Sequence, residues 1–173
     1  EASVVLAFRD ASRSELLLGL KKRGFGQGKW TAYGGKLEKG ESAHDCARRE
    51  FLEETTVEAE ALTLRGIVDY SFEDREDGIR TKSGPTPSFT MHVFECVGLS
   101  QEPVETEEMA PQWFPTDALP FDRMWLDGQD WVPRVVRPMD DRGAFRAKFH
   151  YCTETQLASS DVFYEGDAVD RES

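Results

Sequence analysis

Glu50, Glu53 and Glu54 occur together in the segment Arg48-Arg49-Glu50-Phe51-Leu52-Glu53-Glu54. At i, i+3 and i+4 they fall on one face of a helix. Carboxylates held side by side repel one another unless a cation sits among them. Oxygen donors of this kind suit a hard divalent ion that shares its coordination with water and substrate phosphates. An acidic helix face is usually plain solvated surface. Here it follows Gly34-Gly35-Lys36-Leu37-Glu38-Lys39-Gly40-Glu41, a glycine turn that delivers the chain into the helix at a fixed offset, and that coupling is rarer by chance.

A phosphate-bearing substrate needs local positive charge on this chain, whose formal net charge is -12. That balance argues against broad binding to DNA or RNA, which requires a basic surface to release counterions. Between Lys21 and Leu37, however, Lys21, Lys22, Arg23, Lys29 and Lys36 occur with no Asp or Glu among them. An exposed basic loop is the plain interpretation; a stretch that holds anionic phosphates beside a metal is the functional one.

These groups need elements to position them. Ser3 to Phe8 and Leu16 to Leu20 are short aliphatic runs separated by the polar segment Arg9 to Ser14, and they predict two strands. Gly24, Gly26 and Gly28 mark a loop up to Trp30, with no helix pattern directly after it to make a dinucleotide fingerprint. A helix is expected from Ser42 to Thr55, with Ser42 as N-cap and Ala43, Cys46, Ala47 and Phe51 on its buried side. Leu62 to Phe72 and Ser88 to Val97 read as strands, and the charged, Gly- and Pro-containing segment Glu73 to Pro87 between them as a mobile loop. Phe121 to Val136 is partly helical in pattern, and Phe145 to Tyr151 and Val162 to Tyr164 are late strand candidates, with frayed residues after them.

With 173 residues, no internal repeat and no long linker, the chain suits one domain over 1–173. No apolar run approaches the ~20 residues of a membrane span, and no signal-peptide pattern is visible at the start. Cys46, Cys96 and Cys152 are odd in number and far apart, which favours reduced thiols in a reducing compartment over a disulfide or zinc scaffold.

The order Gly35, five residues, Glu41, seven residues, Arg49-Glu50-Phe51, one residue, Glu53-Glu54 resembles the signature of the Nudix hydrolases. Thr56 departs from it, standing where that signature carries a glycine before the aliphatic Val57. The resemblance implies an α/β (α+β) fold, an α/β/α sandwich around a mixed sheet. It also implies hydrolysis by metal-activated water, with Mg²⁺, or Mn²⁺ in its place, as cofactor. The implied metal site is Gly34, Gly35, Glu50, Glu53, Glu54 and Glu108. Arg49 is implied to orient the helix glutamates, and the choice of general base falls on Glu54, then Glu53. Glu41, near the helix start, is as well explained by structure as by catalysis.

Four further stretches, at Gly19 to Gly26, Met91 to Phe94, Pro103 to Phe114 and Pro120 to Trp131, are similar to oxidised purine nucleoside triphosphatases of the MutT type. That likeness implies a pocket using Ser3, Lys21, Phe25, Thr31, Tyr33, Lys36, Trp125 and Asp127, with Trp125 as the wall on which the purine stacks and Asp127 reading its edge. Two positions differ: Thr31 replaces an asparagine that contacts the base, and Gly128 replaces a second aspartate. The implied reaction converts oxidised purine triphosphates such as 8-oxo-dGTP and 2-oxo-dATP to monophosphate and pyrophosphate, sanitising the nucleotide pool. The implied setting is cytoplasmic, nuclear or mitochondrial, and the implied form a monomer without nucleic-acid polymer or membrane partners. Two rivals use the same residues: a Nudix enzyme for methylated purine nucleotides, dinucleoside polyphosphates or nucleotide sugars, and a non-catalytic nucleotide-binding module.

Overall fold

A computed structural model describes residues 1–74, 76–81 and 84–164. In chain order its elements are β1 (Ala2–Phe8), β2 (Glu15–Lys21), β3 (Trp30–Thr31), β4 (Tyr33–Lys36), α1 (Ala43–Thr55), β5 (Thr63–Phe72), β6 (Arg80–Thr81), β7 (Gly84–Pro85), β8 (Phe89–Val97), β9 (Met109–Pro115), α2 (Gly128–Val136), β10 (Phe145–Thr153) and β11 (Gln156–Tyr164). Nine strands form one sheet in the order β11-β10-β5-β8-β1-β2-β3, with β4 also paired to β1 and β9 to β2. The β1–β8 and β10–β5 pairs are parallel and the others antiparallel, so the sheet is mixed.

The period of two along each strand sorts its side chains between two cores. On β1, Val5 and Ala7 face one side and Leu6 and Phe8 the other, all fully buried. Helix α1 covers the first side through Ala47 and Phe51, while Trp131, Val132 and Val135 of α2 cover the second. This is the α/β/α sandwich that the resemblance implies.

Both ends of α1 bear on the site. Ser42 accepts a hydrogen bond from the Asp45 N–H at 3.1 Å, capping the start. At the other end Thr56 has φ 65° and ψ 13°, the left-handed conformation that favours glycine, and its N–H closes the last turn on the Leu52 carbonyl at 2.8 Å. The C-terminal carbonyls of α2 are met by two arginines from the sheet side. Arg13 donates to Val135 and Val136, and Arg65 to Arg134, Val135 and Arg137. Glu95 pairs with both guanidinium groups. Cations at a helix C-terminus complement its dipole, and here they fasten α2 to β5 and β8.

Two features differ from the sequence expectation. Met109–Pro115 is a strand paired with β2 over its whole length, and β11 begins at Gln156 rather than Val162. Within the segment expected as a mobile loop, β6 pairs with β7, Thr86 donates through its N–H and hydroxyl to the Ile79 carbonyl, and Ile79 is buried in the α2-side core. The frayed end expected after Tyr164 lies outside the described residues.

Candidate active site

Helix α1 and the β4 turn bring the acidic groups together. Glu54 is nearly fully buried, its two oxygens accepting from Lys21 Nζ at 3.0 Å and from the Gly34 N–H at 2.9 Å. Burial pushes the Glu54 carboxyl upward in pKa, against the lowering effect of Lys21 and of the Gly34 N–H. Glu50 lies against Gly35, where an added Cβ would come within 2.4 Å of the Glu50 Cδ. At Gly34 the same addition would come 2.0 Å from the Ser3 carbonyl oxygen, so both glycines are required by close approach.

Arg49 sits at the centre of the acidic groups. Its Nε and Nη2 each meet a Glu41 oxygen at 2.8 Å, Nη1 donates to Glu50 at 2.7 Å and lies 3.5 Å from Glu53, and Nη2 reaches the Lys36 carbonyl at 3.2 Å. The Arg49 guanidinium, with the Glu38 N–H, holds Glu41 down to a pKa of about 2. Glu41 therefore fixes Arg49, and Arg49 turns Glu50 and Glu53 toward one another, although Glu53 remains 60% exposed. Glu108 enters from the loop before β9; Arg23 holds it at 2.7 Å and below the usual carboxylate range, with Lys21 Nζ 3.5 Å away.

The donor set is made of hard oxygens beside a glycine turn, a chemistry that suits a divalent cation, and Glu50, Glu53, Glu54 and Glu108 are the side chains that would hold one. Among the described residues no three His, Cys, Asp or Glu side chains already stand together as a cage for a metal; each carboxylate is held by a basic neighbour.

The expected phosphate-binding stretch is largely taken up by the protein itself. Lys22 pairs with Glu105 at 2.7 Å and Arg23 with Glu107 and Glu108, so the Glu102 to Glu108 stretch neutralises the basic segment. Lys21 lies among the carboxylates rather than in a separate base pocket. Lys36 is exposed at the end of β4.

Beside this centre Phe25 stacks on Trp125 with ring centroids 5.1 Å apart and 19° between planes, and Lys29 Nζ lies 4.7 Å over the same indole. Thr31 is half-buried on β3, opposite Gly19 of β2. Two implied pocket residues are elsewhere. Ser3 is fully buried and donates to the Ala43 carbonyl at 2.8 Å, anchoring α1. Tyr33 is fully buried against Phe51, with its hydroxyl on the Leu18 carbonyl. Asp127 is also buried, in contact with Tyr70, Tyr151 and Trp131, groups the sequence did not single out. Asp130 flanks a cleft lined by Arg134 and Tyr164.

Comparisons with known proteins bear on the family and the fold. The family model described as the NUDIX domain matches residues 1–135. A zebrafish (Danio rerio) protein named oxidized purine nucleoside triphosphate hydrolase is 38% identical over 135 residues, 78% of this chain and 80% of the relative. The mouse (Mus musculus) protein of the same name is 36% identical over 131 residues, 76% and 78% of the two chains. Among solved structures, a MutT protein from Bacillus halodurans superposes with a TM-score of 0.72 at 23% identity, covering 93% of this chain and 95% of its own. A MutT NUDIX hydrolase from Burkholderia pseudomallei gives 0.55 at 26% identity, covering 69% and 84%. With the glutamates of α1, the glycine turn of β4 and the mixed sheet all in one frame, this chain belongs to the Nudix hydrolase family.

Proposed function

We propose that this protein hydrolyses oxidised purine nucleoside triphosphates, 8-oxo-dGTP and 2-oxo-dATP among them, to nucleoside monophosphate and pyrophosphate, with Mg²⁺ as cofactor and Mn²⁺ able to replace it. The observation that carries the reading is the placement of Glu50 and Glu54 against Gly34 and Gly35 by one helix, with Arg49 fixed between Glu41 and Glu50. The names of the zebrafish and mouse relatives support the substrate class.

In this reading a divalent ion supplies Lewis acidity and charge neutralisation at the phosphoryl oxygens. Glu54 accepts the proton of the attacking water: it is oriented by the Gly34 N–H, and burial moves its carboxyl toward the range in which a base is useful near neutral pH. Arg49 keeps Glu50 and Glu53 in place, and Lys21 stands close enough to meet an incoming phosphate. Trp125 and Phe25 offer the purine an aromatic surface. Action as a monomer is part of this reading. Cys46, Cys96 and Cys152 are buried, and their wide separation in sequence suits a reducing cytoplasmic setting. Among the described residues no helix is long and apolar enough to cross a membrane.

The test is product analysis over a panel of oxidised, methylated and normal nucleotides with and without Mg²⁺. Metal-dependent release of pyrophosphate and monophosphate, fastest with an oxidised purine, is expected; equal rates on dGTP and 8-oxo-dGTP would defeat the sanitising role. Glu54→Gln and Glu53→Gln are each expected to lose ~10²–10⁴-fold in turnover while keeping the far-UV spectrum of the wild type. Near-normal turnover in both would remove these residues from the catalytic assignment.

A further inference from the structure

The C-terminal end of α2 borders a cleft of about 300 Å³ on the side of the sheet away from α1. Four arginines line it, Arg65, Arg134, Arg137 and Arg142, against two carboxylates, Asp130 and Asp140. In a chain of formal charge -12 this is a local reversal of sign.

The four arginines are not equally engaged. Arg65 donates to the carbonyls of Arg134, Val135 and Arg137 and pairs with Glu95. Arg142 pairs with Asp140 at 2.6 Å and lies 4.0 Å over the Tyr164 ring. Arg134 lies 5.4 Å over the same ring, and its Nη2 donates to the Val162 carbonyl at 3.5 Å. Among the described residues neither Arg134 nor Arg137 comes within salt-bridge distance of a carboxylate. A helix C-terminus calls for a cation, but Arg13 and Arg65 already meet the last carbonyls of α2. Arg134 and Arg137 therefore add positive charge beyond what the helix end requires. Guanidinium groups gathered around one ring repel each other, and an anion between them relieves that repulsion.

We infer that this cleft is a second anion site, which takes a compact phosphate-type anion such as pyrophosphate on Arg134 and Arg137, with Arg142 as the third cation. The planar guanidinium fork matches phosphate oxygens two at a time, and stacking on Tyr164 restrains Arg134 and Arg142 before the anion arrives. The volume stands at the lower end of small-molecule sites, which suits a compact ion. No lining residue belongs to α1 or β4, so the site is independent of the hydrolytic reading.

The test is calorimetric titration of the full chain with sodium pyrophosphate in metal-stripped buffer at fixed ionic strength, which keeps metal-bridged binding at the α1 glutamates out of the measurement. One saturable site is expected. Arg134→Gln and Arg137→Gln should each weaken it about tenfold. Asp140→Asn removes a carboxylate that competes for Arg142 and should tighten it about threefold. Arg137→Lys, which keeps the charge without the fork, should recover only part of the loss. Arg137 is exposed, so its variants decide the matter even where Arg134→Gln disturbs folding. In ¹⁵N-labelled protein the Nε–H resonances of Arg134 and Arg137 should move along the same binding curve. Absence of saturable binding, equal affinity in wild type and Arg137→Gln, or shifts confined to Lys36 and the Lys21 to Arg23 stretch would overturn the inference. Failure of metal-dependent hydrolysis would defeat the catalytic reading and leave this result standing.

Discussion

Glu41 owes its low pKa to Arg49 and the Glu38 N–H rather than to burial. A carboxylate whose folded pKa is about 2, below an ordinary value of 4.5, contributes stability that is present above the ordinary value and lost as pH falls toward the folded one. In the presence of a chelator, wild type is expected to exceed Glu41→Gln in urea midpoint at neutral pH, with the gap narrowing progressively below pH about 4.5. A gap that stays constant down to pH about 3 would mean that Glu41 acts by shape alone. The residue scale also marks the limit of the glutamate motif. Spacing places Glu50, Glu53 and Glu54 on one face, but whether a carboxylate is buried like Glu54 or left open like Glu53 depends on Lys21 and Gly34, which arrive from other strands. Asp127 could not be read either, because Tyr70 and Tyr151 stand 57 and 24 residues away along the chain.

Helix α1 was legible because its cap, its apolar side and its glutamates all repeat at helical spacing. Strands β1, β2, β5 and β8 were legible from their apolar runs and alternation. Strand β9 was not: Pro111 and Gln112 interrupt the apolar pattern, and its place is set by pairing with β2. The first half of β11 was missed for a similar reason, since Gln156 to Asp161 is mostly exposed edge and carries little apolar alternation. The departure at Thr56 has a structural outcome, because the helix keeps its left-handed end with a β-branched residue there. A non-glycine residue in that conformation costs about 1–3 kcal/mol, whereas glycine loses ~0.5–1 kcal/mol in added unfolded-state freedom. Thr56→Gly is therefore expected to stabilise the protein by ~0.5–1 kcal/mol, read as a higher urea midpoint with an unchanged slope. A lower midpoint would mean that the Thr56 side chain contributes more than its backbone strain costs.

For the whole molecule, the charge balance matters more than any one pair. The chain carries a formal -12, and the basic Lys21 to Arg23 segment is paired with Glu105, Glu107 and Glu108. Long-range forces therefore oppose an approaching anion, and binding must be won at short range. Raising salt shortens the screening length from about 30 Å at 0.01 M to about 8 Å at 0.15 M. At fixed free divalent-ion concentration, kcat/KM for a purine triphosphate is expected to rise over that interval; a steep fall would reveal a net attractive funnel at the mouth of the site. The zipped acidic and basic stretches thus make the surface a sieve for charge number. A loose nucleotide carries a few negative charges and is turned back only weakly, while a nucleic-acid strand carries one every few ångströms and accumulates repulsion along its length. A damaged base on a loose nucleotide therefore meets less repulsion here than the same base built into a polymer.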